Sequence, residues 1–299
     1  YFESKKMDML EVVDKCRKID FNEEQQHLKR IRSNGYTVVE QALNGQLVAE
    51  LLIMVQQQFN SQKSSLIAKA PSEWEADWIL NLQNKDKRFI DLLDAPIVTA
   101  LMVKLLNDPY FRFLPAADPN YILGQFVARS SIEELELHID AGMPQPGRHT
   151  NMVQMSFVLE DTNTENGCTH VVPGSHLLGE YSDRSYQNPV PLPAKAGDLL
   201  IWDARLWHGS KKNHTCKTRW CIIATFQRWW LKQSFDIPRA LPEDIYTKLT
   251  NKQKALLGFC TIPPLDEKDR RTRAIKYSEL PDSLENSKQK SQIGNSTVR

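Results

Sequence analysis

The apolar positions in the first hundred residues recur mostly with the period of a helix. A polar, helix-forming segment opens at Asn22 and is stopped by Asn34-Gly35. Between residues 47 and 59 the apolar side chains fall on one helix face, and another helix is predicted over 95–106. The β-branched run at 36–39 predicts a short strand among these helices.

From about Phe111 the pattern changes to short apolar or β-branched runs separated by Pro, Gly, Asn and Asp. These runs cover residues 121–127, 152–159, 170–172, 199–202 and 220–226. Several short strands at this spacing are typical of a sandwich, a barrel or a jelly roll. Helix is predicted again over 242–257.

This order of elements predicts one domain over residues 1–299. We expect a mostly helical N-terminal region at 1–110 and a β core at 111–232, followed by a helical region at 233–279. Residues 280–299 are polar and free of aromatic side chains, which predicts a flexible tail. The fold class is therefore mainly β with flanking helices.

The composition of the chain argues against some classes of binding partner. The chain has 38 Lys+Arg and 37 Asp+Glu, a formal net charge of +1, so it has no general attraction to nucleic acid or to an anionic membrane. No segment approaches the roughly 20 apolar residues of a membrane span, and the N-terminus lacks the layout of a signal peptide. The five cysteines are scattered, without a CxxC pair, which favours a reducing compartment. We therefore predict a cytoplasmic protein, a monomer or small homo-oligomer, with neither nucleic-acid nor membrane partners.

One set of side chains has the composition of a metal site. On an extended segment, residues two apart project to the same face, so His138 and Asp140 can offer an imidazole and a carboxylate to one metal ion. A second imidazole, His208, follows about 70 positions later within the same β region. Two histidines and one carboxylate occupy one face of an octahedron and leave open positions, as O₂-activating ferrous iron requires.

Each part of this pattern has a plainer interpretation when it is taken alone. His138 and Asp140 could be a surface pair at a strand end, and His208 a strand-end histidine beside Trp207. The joint occurrence in one β region, with Arg219 eleven positions beyond His208, favours the metal site.

These residues resemble the phytanoyl-CoA dioxygenase family of Fe(II)/2-oxoglutarate oxygenases. The resemblance covers roughly residues 30–260 and includes the segment Glu165–His176, the Gly197-Asp198-Leu199-Leu200 run and the His208-Gly209-Ser210 run that leads to Arg219. It implies a double-stranded β-helix, that is, a cupin-like jelly roll of two facing sheets. It also implies Fe(II) held by His138, Asp140 and His208, with 2-oxoglutarate and O₂ as co-substrates.

The co-substrate needs a cation for its remote carboxylate. Arg219 suits this role because a guanidinium matches a carboxylate with two parallel hydrogen bonds, and the family places its co-substrate ligands at the positions of Arg219 and Ser210. Gln125 and Ser156 are further candidates for the co-substrate site. In the family's phytanoyl-CoA enzyme an aromatic residue contacts the co-substrate near the position of Ser156, so the serine is a departure.

The sequence says less about the identity of the substrate than about the co-substrate. The Pro/Gly-rich segment 141–151 is predicted to lie at the cavity mouth, where Arg148, His149 and Asn151 could bind an anionic group, and Gln154 is predicted to face the pocket. The family acts on acyl-CoA thioesters, ectoine-type solutes, phosphonates and amino-acid-derived natural products. No cluster of basic residues resembles a nucleotide-phosphate cradle. We therefore predict oxidation of a small carboxylated metabolite, by hydroxylation, desaturation or ring closure, in a kainoid-like natural-product context.

Two other functions use the same side chains. A zinc hydrolase could hold its metal on His138, Asp140 and His208, but it would have no special need for Arg219. A jelly-roll binding protein without turnover would be expected to have lost one of the three ligands.

Overall fold

The structure, a computed structural model, describes residues 9–65, 78–130, 132–181, 189–215, 217–268 and 274–284. Its helices are α1 (Met9–Asp14), α2 (Phe21–Asn34), α3 (Gly45–Ser65), α4 (Lys87–Leu93), α5 (Pro96–Leu106), α6 (Ile237–Ala240), α7 (Glu243–Tyr246) and α8 (Asn251–Leu256). Its strands are β1 (Tyr36–Val39), β2 (Trp78–Leu80), β3 (Tyr121–Arg129), β4 (Leu135–His138), β5 (Met152–Val158), β6 (Thr169–Val171), β7 (Val190–Leu192), β8 (Leu199–Asp203), β9 (His208–Ser210) and β10 (Cys221–Arg228).

The strands form two antiparallel sheets. The larger sheet has six strands in the order β1-β8-β5-β10-β3-β2, and the smaller has four in the order β4-β9-β6-β7. The prediction of a mainly β protein with flanking helices is confirmed at this level. Within the described ranges, no helix combines the length and the apolar character needed to cross a lipid bilayer.

The outer face of the six-stranded sheet packs against the helices. Successive side chains on a strand point to opposite faces, and on β10 the buried set Ile222, Ala224 and Phe226 belongs to the main hydrophobic core. The opposite face of β10 carries Cys221, Ile223 and Thr225, which line a cavity. The sheet thus separates an apolar core, which stabilises the fold, from a more polar space on its other side.

A bulge aims one polar side chain at that cavity. Between β3 and β10 the register shifts so that Phe226 opposes Leu123 while Thr225 opposes Gln125, which leaves Gly124 as the extra residue. A side chain at Gly124 would place its Cβ 2.3 Å from the Gln227 Oε1 atom, so a larger residue here would have to displace the Gln227 side chain. Gln125 therefore faces the cavity while Leu123 stays in the core.

The predicted helix over 242–257 is interrupted. The structure has α7 and α8 in its place, because Thr250 starts a new helix with a reciprocal capping box to Gln253. The predicted strands at 121–127, 152–159 and 199–202 are confirmed as β3, β5 and β8, whereas β2, β4, β7 and β9 are short strands that the apolar pattern did not predict. The predicted single domain and flexible tail stay predictions, and residues 285–299 of that tail lie outside the described residues.

A buried ion pair holds the turn between β8 and β9. Asp203 and Arg205 are 1% and 4% exposed, and the Arg205 Nε and Nη2 atoms donate to the two Asp203 carboxylate oxygens at 2.9 and 2.8 Å. The Arg205 Nη1 atom also donates to the backbone oxygens of Gln145 and Gly147 at 3.0 and 2.9 Å. Asp203 in addition accepts a 2.8 Å hydrogen bond from the Thr150 hydroxyl.

The same turn fixes the backbone next to Asp140. The carbonyl oxygen of Ala204, between the two charged residues, accepts hydrogen bonds from the backbone N–H groups of Asp140 and Ala141 at 2.9 and 3.0 Å. The ion pair therefore connects the segment 140–150 to the start of β9.

We predict that Arg205→Met lowers the free energy of unfolding by about 3–5 kcal/mol, because it leaves the Asp203 carboxylate buried without its partner. Urea unfolding measures this change. Arg239→Met, which removes an exposed guanidinium, is the matched control and should change stability by less than about 0.5 kcal/mol. The double variant Asp203→Asn/Arg205→Met should be more stable than Arg205→Met alone. A single variant as stable as the control would contradict a stabilising role for the pair.

Candidate active site

Three side chains converge at the edge of the four-stranded sheet. His138 ends β4, His208 begins β9, and these two residues are direct partners in the antiparallel pairing of the two strands. Asp140 follows His138 by two positions. One potential ligand atom from each of the three lies within 4.8 Å of the other two. The His138 and His208 Nε2 atoms are 3.5 and 3.2 Å from the Asp140 carboxylate oxygens.

Backbone carbonyls orient both imidazoles. The His138 Nδ1 atom lies 2.8 Å from the Glu136 carbonyl oxygen, and the His208 Nδ1 atom lies 2.9 Å from that of Leu206. A carbonyl can only accept, so each Nδ1 carries the proton when the ring is neutral, and each Nε2 keeps its lone pair. Both lone pairs face the Asp140 carboxylate. This donor set, with two neutral nitrogens and one anionic oxygen, fits a ferrous ion.

His138, His208 and Asp140 interact electrostatically, and these interactions change the pKa values of Asp140 and His138. Burial alone would raise the pKa of the Asp140 carboxyl, but His208 and His138 outweigh burial and hold that pKa well below its usual range. Burial would lower the pKa of His138, but the hydrogen bond and charge of Asp140 reverse this effect, and the pKa of His138 is raised. Asp140 is therefore an anion at neutral pH, as a metal ligand must be.

The triad opens into a cavity of about 100 Å³ between the two sheets. The residues predicted from the sequence that line it, besides the triad, are Gln125, Gln154, Ser156, Ser210 and Arg219. The structure therefore brings the predicted metal and co-substrate residues together around one space, although they come from four strands and from segments next to β4 and β10.

Arg219 is a buried cation in this cavity. It is only 6% exposed, its Nη2 atom lies 3.3 Å from the Ser210 hydroxyl oxygen, and its Nε atom is buried without a hydrogen-bond partner. No carboxylate within the described ranges forms an ion pair with it, and burial lowers the pKa of its guanidinium. A buried cation without a counter-ion is costly, so the site fits a ligand that brings a carboxylate.

Polar side chains form a row across three strands of the larger sheet. Thr225 on β10 is the register partner of both Gln125 on β3 and Gln154 on β5. The Thr225 hydroxyl donates to the Gln154 Oε1 atom at 2.7 Å, which leaves the Gln154 amide N–H groups as donors. Because all three side chains line the cavity, the row presents hydrogen-bonding groups to its occupant.

Sequence reasoning missed several side chains that line this cavity. Thr225 is polar in an otherwise apolar strand, and that signal could have identified it. Trp202, whose ring centroid lies 5.2 Å from that of His208, also lines the cavity, as does Trp78, whose ring centroid lies 5.0 Å from the Arg129 guanidinium. Trp78 lies on β2, a short edge strand that the apolar pattern did not predict.

The residues predicted to bind an anionic group lie elsewhere. Arg148, His149 and Asn151 line a second depression, which is formed with the end of α5 and the end of β10. Arg148 and His149 are exposed, and the Asn151 amide donates to the Gln145 side-chain oxygen. The structure thus separates these three residues from the cavity that holds the triad.

Comparison with known proteins identifies the family to which this chain belongs. The model of the phytanoyl-CoA dioxygenase (PhyH) family matches residues 31–221. The chain is 29% identical over 195 residues to the uncharacterised protein Rv1501 of Mycobacterium tuberculosis, covering 63% of this chain and 70% of the relative. It is 27% identical over 205 residues to dioxygenase af480 of Aspergillus fumigatus, covering 67% of this chain and 64% of the relative.

A solved structure shares the fold. The epimerase SnoN, determined in complex with Fe³⁺, α-ketoglutarate and nogalamycin RO, superposes with a TM-score of 0.52 at 22% identity, covering 70% of this chain and 85% of that one. The chain therefore belongs to the phytanoyl-CoA dioxygenase family. It is an oxidoreductase of the dioxygenase type that depends on Fe(II) and 2-oxoglutarate.

We predict that Asp140→Asn lowers the pKa of His138 in the metal-free protein below the ordinary value of about 6.5, because it removes the two largest effects that raise this pKa and leaves burial and the charge of Arg129 opposed only by the hydrogen bond to the Glu136 carbonyl. An NMR titration of the imidazole Cε1–H signals measures the shift. Asp161→Asn, which removes an exposed carboxylate at a distance, is the control and should leave the His138 titration unchanged. An unchanged pKa in Asp140→Asn would show that the carboxylate does not face the ring.

Proposed function

We propose that this protein oxidises a small carboxylated metabolite, with Fe(II) on His138, Asp140 and His208 and with the remote carboxylate of 2-oxoglutarate on Arg219 and Ser210. The observation that carries this proposal is the buried Arg219 guanidinium, which has no carboxylate partner in the described residues and lines the same cavity as the triad. A hydrolase with zinc on the same ligands would give no reason for this cation.

Each side chain has a definite task in this proposal. The carbonyl oxygens of Glu136 and Leu206 hold the two imidazoles so that their Nε2 lone pairs meet at the metal position. Arg219, braced by Ser210, fixes one end of the co-substrate, and Gln125 and Ser156 line the same space. When bound, iron and 2-oxoglutarate supply with O₂ the oxidising power that removes a hydrogen from the substrate.

The polar row completes the site. Because the Gln154 oxygen is occupied by the Thr225 hydroxyl, its amide N–H groups donate to whatever lies in the cavity. This arrangement suits an acceptor-rich substrate such as a carboxylated metabolite, held above the open face of the triad. Positioning of the reacting C–H bond then decides between hydroxylation, desaturation and ring closure.

The architecture supports the same proposal. A six-stranded and a four-stranded antiparallel sheet with the cavity between them, together with the fold shared with SnoN, support a double-stranded β-helix in one domain. SnoN is described as an epimerase from nogalamycin biosynthesis, and af480 as a dioxygenase. These descriptions support a role as a tailoring enzyme of natural-product biosynthesis. The kainoid-like substrate, the cytoplasmic location and the oligomeric state stay predictions from the sequence.

We predict that His208→Ala abolishes substrate-dependent formation of succinate from 2-oxoglutarate, because two ligands cannot hold the ferrous ion in place. His170→Ala is the matched control. His170 lies opposite Gly209 on the neighbouring strand and has the same Nδ1 contact to the carbonyl two residues earlier, at 2.9 Å, but does not line the cavity. The control should keep its activity, and both variants should unfold cooperatively near the wild-type temperature. Near-normal succinate formation by His208→Ala would refute the ligand assignment.

We also predict that Arg219→Ala weakens 2-oxoglutarate binding by roughly 30-fold to several-thousand-fold, since one half of a buried charge pair is lost. Arg219→Lys should recover part of this loss, because an ammonium cannot make two parallel hydrogen bonds. The measurement is an anaerobic titration of the weak visible charge-transfer band of Fe(II) with 2-oxoglutarate. Iron affinity measured without the co-substrate should stay the same. Equal co-substrate affinity in Arg219→Ala and wild type would refute the assignment.

A further inference from the structure

A second arginine lines the cavity that holds the three candidate metal ligands (the triad cavity). Arg129 ends β3, and its guanidinium lies 5.0 Å from the ring centroid of Trp78 on the neighbouring strand β2. Both side chains line the same cavity as His138 and Asp140. Arg219 lines it too and is assigned above to the co-substrate. The proposed function gives Arg129 no task.

The bulge in β3 determines that Arg129 faces this cavity. Beyond the extra residue Gly124, the buried side chains of Phe126 and Ala128 belong to the apolar core. Val127 and Arg129, which alternate with them, line the cavity on the other face of the sheet. The orientation of the arginine therefore follows from the backbone of β3.

The backbone of Arg129 is paired on both sides. Its register partners are Trp78 on β2 and Cys221 on β10. Its carbonyl oxygen accepts a 3.7 Å hydrogen bond from the Cys221 thiol. The hydroxyl oxygen of the next residue, Ser130, accepts one of 3.0 Å from the backbone N–H of Arg219. A guanidinium that starts from a fixed backbone and rests on an indole loses little conformational freedom when it binds an anion.

Arg129 lies in the same space as the metal position. Trp78 belongs to β2, an edge strand of the larger sheet, and His138 belongs to β4, an edge strand of the smaller one. The charge of Arg129 reaches the His138 imidazole, since it is one of the effects that lower the pKa of His138, against the larger opposite effect of Asp140. One small molecule can therefore contact Arg129 and lie beside the triad.

The charges that line the cavity leave one cation for the substrate. Among the described residues that line it, Asp140 is the one carboxylate, and Arg129 and Arg219 are the two arginines. In the proposed complex, the charges of Fe(II) and Arg219 are balanced by Asp140 and by the two carboxylates of 2-oxoglutarate. The charge of Arg129 then remains among the lining residues, and a substrate with one carboxylate would balance it.

We propose that Arg129, resting on Trp78, binds the carboxylate of the substrate inside the triad cavity. The inference rests on the proposed function and adds to it a class of substrate: a short carboxylic acid whose anionic group lies close to the C–H bond that is oxidised. The carboxylate is close to that bond because Arg129 and the triad line one cavity. Arg219 holds the co-substrate, and Arg129 holds the substrate.

Butyrate is the probe, and butyramide, which has nearly the same shape without the charge, is its control. Both are titrated by ligand-observed NMR into the full chain saturated with 2-oxoglutarate, so that Arg219 is already occupied. The titration is made once with Zn(II) and once with Mn(II) as the metal. We expect saturable binding of butyrate, at least roughly tenfold tighter than that of butyramide. The butyrate protons should relax faster with Mn(II), which is paramagnetic, because the probe lies near the metal.

Variants test the contact with Arg129. Arg129→Gln should weaken butyrate binding by roughly tenfold to a hundredfold, since hydrogen bonds from a charged group are lost. Arg129→Lys should recover part of this loss, because an ammonium keeps the charge without the two parallel hydrogen bonds. Arg228→Gln is the matched control, since Arg228 also ends a strand and is also half-buried but lines the second depression. The control should leave the affinity within about twofold.

Co-substrate binding separates the role of Arg129 from that of Arg219. Anaerobic titration of the charge-transfer band of Fe(II) should give a 2-oxoglutarate affinity in Arg129→Gln within about threefold of wild type, because the two guanidinium groups contact different molecules. A loss as large as that expected for Arg219→Ala would assign Arg129 to the co-substrate and overturn the proposal. A normal band in Arg129→Gln also shows that the metal site is intact, so that weaker butyrate binding reports the lost contact.

Three further results would overturn the proposal. These are the absence of saturable butyrate binding, equal relaxation of butyrate with the two metals, and equal weakening in Arg129→Gln and Arg228→Gln. The wild-type charge-transfer band with Fe(II) and 2-oxoglutarate reports separately on the proposed function. If that band forms but butyrate binding does not depend on Arg129, the role of Arg129 alone is refuted.

Discussion

The buried Asp203–Arg205 ion pair is the constraint on which the geometry of the triad and of the second depression depends. Separating two charges from water is favourable only if their hydrogen bonds are satisfied, and here every partner is supplied by a segment that carries function. Arg205 binds carbonyls of the segment 141–150, Asp203 binds Thr150, and Ala204 between them binds the backbone of Asp140. One turn therefore sets the position of a metal ligand, of the start of β9 and of one wall of the depression.

A second constraint is the unpartnered guanidinium of Arg219. The fold places it just before β10, beside Ser210, and no carboxylate of the described residues forms an ion pair with it, although Asp140 lines the same cavity. A protein selected only for stability would pair or expose such a group. In the proposed complex, the remote carboxylate of 2-oxoglutarate would supply the missing charge, and this would link the stability of this region to the presence of the co-substrate.

The candidate metal ligands and Arg219 could be predicted from the sequence better than the position of the segment 141–151 could. His138, Asp140 and His208 were predicted from their joint occurrence in one β region and from the resemblance to a known family, and Arg219 from the same resemblance and from its place before an apolar strand. The short strands β4 and β9 carry few apolar residues, so hydrophobic pattern does not reveal them. The break before α8 depends on a cap at Thr250, and the place of Arg148 depends on contacts of Arg205 with a loop distant in sequence. Neither is encoded in local periodicity.

Strand β10 has an arginine near each end, one lining the triad cavity and the other lining the second depression. Arg219 stands just before β10 and Arg228 ends it, nine positions later, which corresponds to about 30 Å of extended chain. A molecule the size of 2-oxoglutarate cannot reach both cations, and their side chains lie on opposite faces of the sheet. Thr225 lies between them, where β3 bulges and Gln125 and Gln154 meet it. The alternation of side chains along one strand thus keeps the cavity that holds the triad apart from the depression at Arg228.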